Sequence, residues 1–164
     1  MITKNKARIT KDAAGKKVKV VKKFDADVQQ VWDAWTNREM LDKWWAPKPW
    51  RAETKEMDFR EGGKWLYRMV GPKGESESAR LDYNTIDAPK SFTSTDSFVD
   101  EDGNNKQNSP SMRWETKFIK TSEGTTVEVE IKFDKDDDMK KILDMGFEEG
   151  FAAALENLDE LLAQ

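Results

Sequence analysis

Asp96 sits in the run SFTSTDSFVD, at two-residue spacing from Phe92, Ser94 and Phe98. If that run is a strand, the four side chains share one face. On an inner face Asp96 is a buried carboxylate, whose pKa rises unless a cation pairs with it; such groups mark binding or acid–base sites. A β-bulge would instead turn it to solvent. Arg68 and Arg113 are partners if the register shifts. Tyr67 and Tyr83 are further candidate acid–base groups, and with Asp96 they would suit a cyclase- or hydratase-type enzyme. The chain has no histidine and no cysteine. Ser-His-Asp and Cys-His catalysis and thiolate or imidazole metal sites are therefore excluded. Glu53, Glu56, Asp58, Glu128 and Glu130 fall at strand spacing, where solvent-facing charge explains them. No phosphate loop, metal-ligand spacing or nucleophile elbow is present, and no cofactor is expected.

The second candidate is an apolar wall. Trp65, Tyr67 and Met69 alternate with polar neighbours, and Tyr83, Phe98 and Trp114 fall on equivalent faces of other strand-like runs. Met139, Leu143, Phe147 and Phe151 form a helical stripe near the C-terminus. Facing one another, these residues line a pocket for a small apolar or amphipathic molecule, with Asp96 as a polar group inside it. The alternative is that the same residues fill the core. Trp44, Trp45 and Trp50 flank Ala46-Pro47-Lys48-Pro49. One of the adjacent pair should pack inward, while the other stands at the mouth or forms a contact patch, structural packing being the default; Trp44 is placed with the ligand-binding set. Gly146 and Gly150 lie one turn apart in a helical pattern, where each costs about 1 kcal/mol relative to alanine. Close packing or room for a ligand would account for them, close packing being the commoner cause.

The elements that must position these residues follow from periodicity. Residues 6–11 and 16–24 read as two strands around Asp12-Ala13-Ala14-Gly15, with Val18, Val20 and Lys22 on one face. Asp27 caps a helix carrying Val28, Val31, Trp32 and Trp35. Asn37 ends it and caps a second helix carrying Met40, Leu41, Trp44 and Trp45, which Pro47 and Pro49 stop. Six strand-like runs follow between Arg51 and Phe133; the clearest sets Val127, Val129, Ile131 and Phe133 against Glu128, Glu130 and Lys132. A polar loop runs from Asp102 to Pro110. Asp136, Asp137 and Asp138 open one long amphipathic helix, 138–162. A bare aromatic sheet face must be covered, and only that helix is long enough to do so. The expected architecture is α+β: a curved antiparallel sheet wrapped around a long C-terminal helix, the helix-grip fold, with two short helices after the first strands. The chain reads as one domain, 1–164, with 1–15 an N-terminal strand extension.

With 164 residues, 37% hydrophobic and 37% charged, the apolar content is modest and concentrated in aromatics. Lysines crowd residues 4–23 and carboxylates crowd 134–164, but the net charge is −4. No nucleic-acid motif accompanies the lysines, which discourage edge pairing when they line a strand. The N-terminus lacks an apolar signal region and no run approaches a membrane span. A cytoplasmic protein with neither nucleic-acid binding nor membrane insertion is expected.

Four segments carry a family resemblance: FDADVQQVWDAWTNREMLDKWWAP, MDFREGGKWLY, TTVEVEIKF and GFEEGFAAALENLDELL. Over about residues 16–163 the chain resembles the activator of ninety-kDa heat-shock-protein ATPase homologue-like (Aha-like) family, within the START and Bet v allergen (SRPBCC) superfamily. One departure is Gly150-Phe151, where the family often has Gly-Trp. The resemblance implies a cavity between sheet and long helix. It implies no single activity, since the superfamily includes lipid carriers, receptors, cyclases and co-chaperone domains. Binding of a small hydrophobic or amphipathic ligand is the first expectation. A chaperone partner, engaged through the Lys-rich hairpin and the Trp45–Trp50 loop, is the second.

Overall fold

The structure, a computed structural model, describes residues 6–107 and 109–164. Residues 1–5 of the expected N-terminal extension and Asn108 of the polar loop lie outside the described residues. Eight strands form one antiparallel sheet: β1 (Arg8–Asp12), β2 (Lys17–Phe24), β3 (Arg51–Met57), β4 (Lys64–Val70), β5 (Ser76–Asp87), β6 (Ser91–Val99), β7 (Ser111–Thr121) and β8 (Gly124–Phe133). Their order is β1-β2-β8-β7-β6-β5-β4-β3, so the six strands after the short helices are a meander whose last strand closes onto β2. Register shifts at Thr54/Glu56 and Tyr83/Thr85 help bend the sheet. This is the expected helix-grip fold.

Two helices, α1 (Val28–Thr36) and α2 (Arg38–Trp44), plug one end. Asp27 and Gln30 form a reciprocal capping box, the Gln30 amide donating to Asp27 at 2.8 Å. Asn37 ends α1 and accepts from Glu39 and Met40 to start α2, so one residue turns the corner. Trp32 and Trp35 pack edge-on against Phe118 of β7 at 5.1 and 5.9 Å, seating the plug on the sheet.

The helix expected over 138–162 is not continuous. It divides into α3 (Asp136–Asp144) and α4 (Phe147–Leu162). Gly146 adopts φ +85°, and its amide donates to Leu143 O at 3.1 Å, which closes α3. A Cβ on Gly146 would meet nothing within 4 Å. Its purpose is therefore backbone conformation, not close packing. Gly150 differs: a Cβ there would lie 3.7 Å from Pro47, an ordinary contact.

Lys22 stands in the inward register of β2 between Val20 and Phe24 and is 2% exposed. Its ammonium meets both carboxylate oxygens of Asp159 on α4 at 3.0 and 2.9 Å, donates to Lys23 O and lies 4.6 Å from the Phe24 ring centroid. This pair fastens α4 to the sheet. Removing one partner of such a pair strands the other, and the more deeply buried group suffers more. Asp159→Ala should lower unfolding stability by about 3 kcal/mol. Lys22→Met, which leaves a partly hydrated carboxylate, should cost clearly less. Urea midpoints of the two variants test this ordering.

Candidate functional site

Inward side chains of the meander form rows across the sheet. One row runs Tyr67, Ala79, Phe98; the next runs Trp65, Leu81, Asp96, Met112, Phe133; the third runs Tyr83, Ser94, Trp114, Ile131. Asp96 thus lies on the inner face, 6% exposed, and no bulge turns it out. Arg68 and Arg113 face away and pair with Glu53 and Asp134 at 2.7 and 3.1 Å. Among the described residues no cation forms an ion pair with Asp96.

Between these rows and the C-terminal helices lies a cavity of about 450 Å³. The sheet contributes Tyr67, Met69, Ala79, Asp96, Phe98, Met112 and Trp114. Ile142, Phe147, Gly150 and Phe151 come from the helices, and Trp45, Pro47 and Trp50 from the plug and the segment after it. Glu77 and Met145, the latter 62% exposed, mark the open end, and Gly146 lies beside them. The volume suits a small organic ligand.

Of the twelve residues expected to bind a ligand, seven line this cavity: Tyr67, Met69, Asp96, Phe98, Trp114, Phe147 and Phe151. Five do not. Trp44 is fully buried and donates from Nε1 to Ala34 O at 2.9 Å, inside the plug. It is Trp45 that reaches the cavity, where its Nε1 donates to the Tyr67 hydroxyl at 3.0 Å. Neither of the pair stands exposed at the mouth; half-buried Trp50 takes the rim. Trp65 stacks on Tyr67 at 4.1 Å and bonds to Thr54, and Tyr83 packs edge-on against Phe59 at 4.8 Å, both in filled core. Met139 and Leu143 miss the cavity because the break at Gly146 interrupts the helical stripe, and Ile142 lines it instead.

The cavity and the packed interior meet at Trp45 and Trp114. Beyond them is a void of about 10 Å³, space for a single water. Around it stand Trp35, Ser94, Trp114 and Thr116, each with a buried polar atom lacking a hydrogen-bond partner among the described residues. The interior is thus filled on one side of these indoles and open on the other.

Burial is the main influence on Asp96, pushing its pKa up to about 7; a hydrogen bond from the Ser97 backbone works in the opposite direction. Burial also holds the Tyr67 phenol well above its usual value, and the Asp96 charge adds to this. Burial likewise raises Tyr83. Both phenols are neutral in neutral solution. The site therefore offers one carboxyl that titrates near neutrality beside a hydroxyl. Such a pair can exchange a proton or hold a hydrogen-bonding group. Among the described residues no cluster of three metal-ligating side chains occurs.

A raised carboxyl pKa makes the folded state bind its proton more tightly than the unfolded chain does, so stability falls as pH rises. The loss begins near the unfolded value of 3.8 and is complete above about 7. Asp96→Asn should therefore be isostable with the parent below about pH 4 and more stable by a few kcal/mol, roughly, at pH 8. Urea unfolding across this range checks the prediction.

The family described as activator of Hsp90 ATPase homolog 1-like protein matches residues 25–163. A solution structure of an Arthrobacter aurescens protein superposes with TM-score 0.90 at 31% identity, covering 95% of this chain and 91% of that one. The crystal structure of a Mycobacterium smegmatis protein gives TM-score 0.88 at 28% identity, covering 94% and 95%. A solution structure of a Staphylococcus epidermidis protein gives 0.83 at 26% identity, covering 95% and 93%. No curated protein matches the chain. The fold, the near-complete match and the shared sequence place this chain in the family of activator of Hsp90 ATPase homolog 1-like proteins.

Proposed function

We propose that this protein binds a small apolar or amphipathic molecule between the sheet and the C-terminal helices. The observation that carries the reading is the cavity of about 450 Å³, walled by aromatic and aliphatic side chains with one buried carboxylate among them. A large empty apolar space forfeits packing contacts, and an unpaired buried carboxyl costs stability. A ligand would offset both. The family's fold, which generally encloses hydrophobic ligands, supports the same reading.

Nile red, a neutral apolar dye, is expected to bind with a Kd on the order of micromolar. Binding should change tryptophan emission, because Trp45, Trp50 and Trp114 line the space. Ala79 lies on the cavity floor. Ala79→Phe should fill it and weaken the dye by about tenfold or more while folding is retained. Native mass spectrometry of gently purified protein would reveal a co-purifying molecule. Failure of the dye, and of a panel of fatty acids, flavonoids and sterols, to perturb the tryptophans would rule the reading out.

The family's description favours a second reading, contact with an Hsp90-type chaperone. Its surface would be the lysines of the β1–β2 hairpin together with Lys48, Pro49 and Trp50, since Trp45 is buried. It predicts a faster chaperone ATPase at saturating protein, and an unchanged rate removes it.

A further inference from the structure

We propose that the molecule held in this cavity is a cationic amphiphile, an amine whose nitrogen pairs with Asp96 and whose apolar part lies against Trp45, Trp114, Phe147 and Phe151. The proposal rests on the ligand-binding reading above and names the chemical class it takes.

The charges around the cavity have one sign. Asp96 and Glu77 are the charged side chains that line it, and no lysine or arginine does so among the described residues. Glu77, at the open end, already meets Lys106 at 3.2 Å. Asp96, at the closed end, meets no cation. The neighbouring strands bring Tyr67 from β4, Leu81 from β5 and Met112 from β7 toward it, and the covering elements bring Ile142, Phe147, Phe151 and Trp45. None of these can supply a positive charge. The Tyr67 hydroxyl accepts a hydrogen bond from Trp45 Nε1, so its own O–H is directed elsewhere and adds a second polar group at this end.

A fatty carboxylate would meet like charge at an ionised Asp96, with only the Tyr67 hydroxyl to offset its lost hydration. A neutral alcohol would gain one hydrogen bond. An ammonium gains a charge-assisted bond from a carboxylate already stripped of water, and its remaining contacts are aromatic rings, whose faces attract cations. The wall of rings is continuous: Trp45 and Trp114 centroids are 5.9 Å apart, Trp114 and Phe151 5.5 Å, and Phe147 and Phe151 5.4 Å. Before binding, the carboxyl is half protonated near pH 7, so an alkylammonium must displace that proton.

Three probes of equal chain length separate the possibilities: octylammonium, octanol and octanoate, titrated by calorimetry and tryptophan fluorescence into the full chain. Octylammonium is expected to bind at least about tenfold tighter than either of the others. Its affinity should rise from pH 6 to pH 8, while that of octanol stays level. Asp96→Asn, with folding checked by circular dichroism, should retain octanol and lose the preference for the amine. Equal binding of all three, or tightest binding of octanoate, overturns the amine proposal and leaves the cavity reading intact. A preference that survives in Asp96→Asn also overturns it. Should that variant not fold, the pH series on the unaltered protein decides, and a flat octylammonium affinity refutes the proposal. Binding of none of the probes, together with the failure of Nile red, removes the cavity reading itself.

Discussion

Plug, sheet and covering helix meet at the Trp45 indole. It contacts Trp35 and Trp44 of the plug at 5.9 and 5.3 Å, Trp65 and Trp114 of the sheet at 5.3 and 5.9 Å, and Phe151 of α4 at 5.9 Å. Its only donor goes to Tyr67. A curved sheet can be closed by helices only if some bulky group fills the point where plug, sheet and covering helix meet. Trp45 is that group. Aromatic pairs favour tilted and edge-on geometry, so one indole can satisfy all these neighbours without parallel stacking. The same ring divides the interior, with dense packing toward Trp35 and Trp65 and the cavity toward Phe151.

The elements were largely legible because their signals are local. Asp27 and Asn37 announce their caps, and Val127 to Phe133 alternates without a fault. What could not be read depends on distant partners or on a single torsion. Met139, Leu143, Phe147 and Phe151 fall four apart and read as one helical stripe, yet Gly146 breaks it with a positive φ that composition does not disclose. Trp44 and Trp45 are adjacent on a helical pattern that marks both as apolar. Only the position of Ala34 and Tyr67 decides which one enters the plug and which reaches the cavity. Lys22 looks like one more strand lysine, and its partner lies 137 residues away. Ala79, Met112 and Ile142 line the cavity without belonging to the expected set. The alternation of β5, β7 and the C-terminal helix could have located them.

Two buried charges illustrate opposite solutions to one problem. Lys22 is buried with its counter-ion, a backbone carbonyl and a ring, so its charge is met on every side. Asp96 is buried with a backbone amide, the Tyr67 phenol and otherwise apolar neighbours, and with no cation among the described residues. The first arrangement ties α4 to β2 and belongs to the fold. The second adds nothing to the fold that an apolar residue would not supply better. The contrast sets a paired charge that ties elements together against an unpaired one that does not, within one small interior.

The break at Gly146 also divides the covering helices by strength of attachment. α4 is anchored by Phe151, Ala154, Leu155 and Leu158 and by the Lys22 pair, whereas α3 has only Met139 and Ile142 buried. Exposing two such side chains costs about 3–6 kcal/mol, toward the low end of what unfolding a whole domain commonly requires. α3 is therefore the more weakly anchored of the two covering helices. Of the two helices that cover the sheet, the one with fewer buried side chains supplies Ile142 to the cavity wall, so the cover over that space is unequal in strength from one end to the other.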